Sequence, residues 1–189
     1  MKNADFPKQN PQANSRTMKF RHFRDDDSTA LAAVFHASVC EIGIRDYSQK
    51  QVAAWSAVRP TTDSFLARAY DGRTVLVAES DVGEPVAYVD LERDGHIDHL
   101  YCRPDHVGTG VASALYDFLE KLAKERGIVS LYVEASEAAR RLFERKGFVV
   151  AERLDFEIGG VRIHNYLMMK TLISQTDAVD GRDRRFERQ

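Results

Sequence analysis

Three apolar, strand-like runs follow one another between residues 74 and 102, "TVLVAES", "PVAYVDLER" and "HIDHLYC", with almost no chain between them. Parallel neighbours need a crossover of about a dozen residues or more. Here the connections are "DVGE" and the pair Asp94-Gly95, a strong two-residue hairpin signal. The runs therefore have to form an antiparallel meander. The last of them leads through Gly108-Thr109-Gly110 into Val111, Leu115, Phe118, Leu119 and Leu122, apolar residues at helical spacing that end at Gly127.

The remaining signals build outward from this centre. "MKFRHFR" alternates as a first strand, and "DDDSTALAAVFHASVCEIG" reads as a helix whose acidic start and Ser28 suit the helix dipole. "SQKQVAAWSAV" opens on a capping box formed by Ser48 and Gln51, and Pro60 stops it. "VSLYVEA" is a strand, and "SEAARRLFERKG" a short helix capped by Ser136 and closed by Gly147. "FVVAERLDFEI" and "VRIHNYLMMKTL" form a final hairpin turning at Gly159-Gly160. The predicted order is β-α-α-β-β-β-α-β-α-β-β, one α/β domain over residues 18–172. Residues 1–17 and 173–189 are polar tails expected to be disordered.

A helix that begins at two glycines can offer unpaired amides to a phosphate. Three readings of the loop compete. A nucleoside-triphosphate loop needs Gly-Lys-Ser/Thr, and "GTGVAS" has no lysine. A dinucleotide loop fits Gly-x-Gly-x-x-Ser, with Glu134 as the ribose-binding acid, but that fold expects a parallel βαβ series near the start of the domain. A purely structural glycine turn is the third.

"VGTGVA" (107–112), with small residues at Gly110 and Ala112, and "SEAARRLFERKGF" (136–148) stand in an order and spacing that resemble the two landmarks of the GCN5-related N-acetyltransferase (GNAT) family, and the resemblance runs from Met18 to about Leu172. The departures are Val107 where Arg or Gln is usual, Ser136 for Asn and Phe143 for Tyr. "RDYSQKQVAAW", "DGHIDHLYCRPDH", "LFERKGF" and "GGVRIHNYLMMK" resemble more narrowly its YafP-like branch. The resemblance implies a single domain with a mixed, mostly antiparallel central sheet flanked by helices, whose central parallel pair opens around coenzyme A. It implies acetyl-CoA as cosubstrate, with Leu100, Tyr101 and Cys102 beside the pantetheine arm. Val107, Gly108, Thr109, Gly110, Val111, Ala112 and Ser113 would hold the pyrophosphate, and Ser136, Ala139 and Phe143 would flank the cofactor. Tyr47, Gln51, Trp55, His164 and Tyr166 would line the acceptor.

Acetyl transfer to an amine needs a base, because an alkylamine with a pKa of about 10 arrives protonated. Alternation puts His96 and Asp98 on one face of their strand, opposite Ile97 and His99. The resemblance makes these two the candidate bases; otherwise they are polar groups at a hairpin edge. His99 reads as a satisfied, partly buried histidine. Phe143 cannot donate a proton to the leaving thiolate, which leaves Tyr101, Tyr132 and Tyr166 as candidates. Cys102 has no obvious paired base, which disfavours a covalent acyl-enzyme. No cluster completes a metal site around His96, Asp98 and Cys102, so no metal is expected.

The acceptor implied is an amine of a small molecule or peptide. A formal net charge of −2 gives no reason to expect nucleic acid or an anionic membrane as partner. The two cysteines, Cys40 and Cys102, read as free thiols in a reducing compartment, and the start lacks a signal peptide's apolar core, so a cytoplasmic monomer or homodimer is expected. Two rivals remain at this level, a non-catalytic acyl-CoA-binding module and an NAD(P)-binding oxidoreductase using Glu134.

Overall fold

The computed structural model describes residues 18–58 and 60–172. The expectations for the two tails lie outside the described residues. In chain order the elements are β1 (Lys19–His22), α1 (Ser28–Ala37), α2 (Gln49–Ala57), α3 (Thr62–Ala69), β2 (Thr74–Glu79), β3 (Pro85–Leu91) and β4 (Leu100–Cys102). After these come α4 (Val111–Glu125), β5 (Ser130–Ala135), α5 (Glu137–Arg145), β6 (Val149–Ile158) and β7 (Val161–Thr171). Among the described residues no helix is long and apolar enough to cross a membrane.

The strands form two antiparallel sheets, β1-β2-β3-β4 and β5-β7-β6. The predicted meander is β2-β3-β4, and the predicted final hairpin is β6-β7. The expected central parallel pair shrinks to a single bridge between His96 and Tyr132. There the Ile97 amide donates to the Tyr132 carbonyl at 2.9 Å, and the Tyr132 amide to that of Gly95 at 3.1 Å. Beyond this point β4 and β5 part, and the gap between them opens the molecule.

β2 and β3 are covered on both faces, as their nearly continuous apolar sequence requires. Leu76, Ala78, Val89 and Leu91 pack with Leu115, Leu119 and Phe143 from α4 and α5. On the other face Val75, Val77 and Tyr88 meet Leu31, Val34 and Phe65 from α1 and α3. Residues two apart thus serve the same layer, as the pleat dictates.

The structure differs from the sequence expectations in four places. Helix α3 was not expected: its eight residues show no sustained periodicity, and its signal is the Thr61 hydroxyl, which accepts from the Ser64 amide at 3.2 Å. The first predicted helix stops at Ala37 and widens into one π-helical turn over Ser38–Ile42. The strand expected from His96 narrows to Leu100–Cys102, because the Asp90 carboxylate takes the amides of Asp98 (3.1 Å) and His99 (2.8 Å). Phe118 is 38% exposed rather than core, and stacks at 6.0 Å on Phe20 at the edge of α4.

Gly95 holds the bridge between the sheets. Its φ is +98°, and a Cβ there would collide with the carbonyl oxygen of Ser130 on β5. Left-handed strain and a clash with immobile backbone add, so Gly95→Ala should cost about 2 kcal/mol or more. The expected result in a thermal melt is a Tm lowered by roughly 4–8 °C.

Candidate active site

The loop after β4 runs through a short 3₁₀ turn, Pro104–His106, into the glycines. Gly108 and Gly110 have φ of +81° and +90°, and a Cβ at either would meet nothing within 4 Å. Their glycine requirement is therefore conformational. The first intrahelical bond of α4 runs from the Ala114 amide to the Gly110 carbonyl at 2.9 Å, so the amides of Val111, Ala112 and Ser113 have no helical partner. With the helix dipole behind them they form a site for an anion.

A groove of about 430 Å³ starts at this loop and follows the open edge of β4. Of the residues read from sequence as cofactor-facing, Leu100, Tyr101, Cys102, Val107, Gly108, Gly110, Val111, Ala112, Ser113, Ser136 and Ala139 line it. Thr109 does not: its hydroxyl turns back to the His106 carbonyl at 2.7 Å. Phe143 does not either. It is fully buried against Phe148 and Tyr116, with ring centroids 4.9 and 5.8 Å away, so its aromatic ring serves the core rather than the groove. The sequence reading missed His106, Arg145 and the π-helical residues Ser38, Val39 and Ile42, all of which line the groove. A basic residue closing α5 just before Gly147 was the available signal for Arg145.

Along β3 and β4, the Asp90 amide donates to the His99 carbonyl and the Arg103 amide to that of Val86. Antiparallel alternation then assigns Tyr101 to β3 and turns the backbone of Leu100 and Cys102 toward the gap. The groove thus has two backbone amides facing it beside the anion loop.

A second cleft, about 640 Å³, opens on the other side of β4 and shares Trp55 and Tyr101 with the groove. Its polar lining includes Arg68, Asp98, His99, Glu134 and Asn165. Arg68 reaches Asp90 at 2.7 Å and Asp98 at 2.5 Å, and Arg73 reaches the same two carboxylates at 3.0 and 3.2 Å. Burial would raise the Asp98 carboxyl, but its neighbours His99, Arg68 and Arg73 outweigh that and hold it below the usual carboxylate value. Asp98 is thus a persistent anion. His96 lines neither cavity; it stands behind Glu134, with its Nε2 2.6 Å from Oε2 of that carboxylate and its ring stacked on Tyr132 at 4.6 Å. Burial pulls the His96 imidazole down, yet Glu134, Asp98 and Glu92 outweigh it and raise its pKa.

His99 is 8% exposed, and its Nδ1 lies 3.1 Å from the Tyr88 hydroxyl. Burial, helped by Arg68 and opposed by Asp90, pushes its pKa down to about 4. Cys102 is a buried thiol whose pKa burial pushes up to about 12, which makes it a poor nucleophile. Cys40 and Cys102 are both free. Among the described residues no group of three or more His, Cys, Asp or Glu side chains is placed to hold a metal.

Of the residues expected around the acceptor, only Trp55 lines the second cleft; Tyr47 lines the groove instead. Gln51 is committed to its capping box and to the Arg162 carbonyl at 2.9 Å. His164 and Tyr166 are both bound to Glu137 Oε1, at 3.1 and 2.7 Å, at the start of α5. Among the candidate proton donors, Tyr132 donates to Asp94 at 2.7 Å and Tyr166 is held by Glu137. Tyr101 alone of the three stands where the two cavities meet, and burial raises its pKa.

Two cavities meet at Trp55 and Tyr101, one beside an anion loop and one lined by carboxylates, an arrangement that suits a group transferase. The comparisons give that class its family. The profile of the acetyltransferase (GNAT) domain matches residues 44–170, and the chain belongs to this family. It is 28% identical over 152 residues to the uncharacterised N-acetyltransferase YafP of Escherichia coli (strain K12), covering 80% of this chain and 94% of that protein. A GCN5-related N-acetyltransferase from Rhodopseudomonas palustris is 37% identical and superposes with a TM-score of 0.75 over 82% of this chain and 96% of its own. The PaiA N-acetyltransferase of Thermoplasma acidophilum, solved in complex with coenzyme A, shares the fold at 18% identity, with a TM-score of 0.66 over 82% and 99% of the two chains. The protein is an acyl-CoA-dependent acetyltransferase.

The neutral His99 makes a pH prediction. Above its ordinary value near 6.5 the imidazole is neutral in folded and unfolded chains alike. As pH falls, the unfolded chain takes up a proton that the native site refuses until about pH 4. Stability is therefore lost across this window, by on the order of 3 kcal/mol from this group. Denaturant melts from pH 7 to 4 should show a shallower loss in His99→Asn, whose amide can keep the Tyr88 bond.

Proposed function

We propose that the protein moves the acetyl group of acetyl-CoA to the amine of a small molecule or peptide by direct attack in a ternary complex. The observation that carries this reading is the meeting of the two cavities at Trp55 and Tyr101. A cofactor in the groove and an amine in the cleft would face each other there, which supplies the proximity that direct transfer needs.

Acetyl-CoA supplies an activated thioester. The residues of the groove bind its two ends, the anion loop taking the pyrophosphate and the edge amides of Leu100 and Cys102 pairing with the pantetheine arm. Arg145 adds a cation near the phosphates. In the cleft Asp98 holds the ammonium as a fixed anion, since its ion pairs make it a weak proton acceptor. Glu134 takes the ammonium proton and passes it to His96, whose raised pKa suits that task. The amine nitrogen then forms its bond to the acetyl carbon as the carbon–sulfur bond breaks. Tyr101 gives its proton to the departing sulfur, the role that Phe143 cannot fill, and the second proton of the attacking nitrogen, shed as the amide forms, restores the Tyr101 phenol.

Thiol release from acetyl-CoA in the presence of primary amines tests the reading. Initial rates should give intersecting lines when both substrates are varied; parallel lines would indicate a covalent acyl-enzyme, and no release with any amine would leave only a binding module. Tyr101→Phe should lower kcat by about 10- to 100-fold while the KM for acetyl-CoA is retained. An unchanged kcat would remove Tyr101 from the chemistry.

A further inference from the structure

Among the polar residues that line the second cleft and take no part in this mechanism, one has an unpaired atom. Asn165 lies on β7 and lines the cleft, and its Oδ1 is buried without a hydrogen-bond partner. An unpaired buried amide oxygen is a net cost to the fold. Such an atom calls for an explanation, and a carboxamide that turns into the cleft to meet a ligand is one. A carboxamide is also both donor and acceptor in one plane, so its best complement is a neutral group of the same kind.

The rest of the lining narrows the choice. Phe35, Trp55, Val58, Pro60 and Tyr101 give the cleft an apolar, largely aromatic wall. Its charge is acidic. The guanidiniums of Arg68 and Arg73 are shared among four carboxylates, Asp71, Asp90, Glu92 and Asp98. Glu134 adds another carboxylate to the lining, with His96 as its partner. Arg68, the one guanidinium in the lining, is already engaged by Asp90 and Asp98, so a carboxylate on the ligand would meet Asp98 and Glu134 without a free cation to receive it.

We infer that the acceptor is a primary amine with an aromatic or bulky apolar body and a neutral amide or hydroxyl group that pairs with Asn165, and that it carries no carboxylate. The inference rests on the preceding reading that this cleft receives the amine. Asn165 is then a specificity-determining residue, and the ammonium sits between Asp98 and Glu134.

Three probes separate the parts of this statement: phenylalaninamide, 2-phenylethylamine and phenylalanine, each with saturating acetyl-CoA and followed by thiol release. The wild-type enzyme should favour phenylalaninamide over 2-phenylethylamine by about tenfold or more in kcat/KM, because a site built for a hydrogen bond rejects a ligand that lacks it. Phenylalanine should fall at least about tenfold below 2-phenylethylamine, since its carboxylate is repelled. In Asn165→Leu the preference for the amide should shrink to within about threefold, with acetyl-CoA affinity as the check on folding. Equal rates for the amide and the plain amine in the wild type overturn the inference, whatever the variant does. A preference that survives Asn165→Leu overturns the role of Asn165. Acetyl-CoA binding without turnover of any of the three defeats this inference alone, whereas failure to bind acetyl-CoA defeats the reading beneath it as well.

Discussion

The carboxylate of Asp90, 2% exposed in the middle of the protein, decides how the sheet opens. Removing such a charge from water costs several kcal/mol, and only full pairing makes it tolerable. Asp90 obtains that pairing from Arg68 on α3, from Arg73 just before β2, and from the amides of Asp98 and His99. The His99 amide, which would otherwise extend the ladder between β3 and β4, is diverted to a side chain, and so is the Asp98 amide on the edge that faces β5. The strand is therefore irregular before Leu100, and its neighbour β5 touches it at one bridge only. The gap proposed to receive the cofactor is thus a consequence of satisfying one buried charge.

The same arrangement separates the roles of two acids a few residues apart in space. Asp98 shares the arginines of Asp90 and stays ionised, so it serves as a charge. Glu134 has a histidine behind it instead of an arginine, and a histidine can take a proton. His99 lines the same cleft but is kept neutral by burial, so it adds no positive charge there. In the proposed mechanism one cleft thereby holds an anchor and a proton acceptor without the two competing.

Much of the fold was legible in the sequence, because short connections force an antiparallel meander and apolar spacing fixes α4 and α5. A groove at the glycine loop was legible too, since two glycines before a helix mark a turn open to an anion: Val107, Gly108, Gly110, Val111, Ala112 and Ser113 all line it. The acceptor side was not. Arg68 sits on α3, a helix too short to show a period, and both Arg68 and Arg73 are far from Asp98 in sequence. Asp90 inside the apolar run "PVAYVDLER" was the one visible hint of a buried charge. Gln51 was legible as half of a capping box with Ser48, but its bond to the Arg162 carbonyl, like those of His164 and Tyr166 to Glu137, joins residues distant in sequence. Phe143 follows a related rule: a residue at a motif position still turns toward whichever aromatic cluster the core offers.

What the opening of β4 away from β5 means is best tested at the amides themselves. Hydrogen exchange of the Leu100 and Cys102 amides should be measured with and without saturating acetyl-CoA, with NADH as the control. The account predicts that acetyl-CoA slows exchange at both amides by about tenfold or more, and that NADH leaves them unchanged. Tight binding of acetyl-CoA with exchange at Leu100 and Cys102 unaltered would contradict it, because the cofactor would then lie somewhere other than the gap.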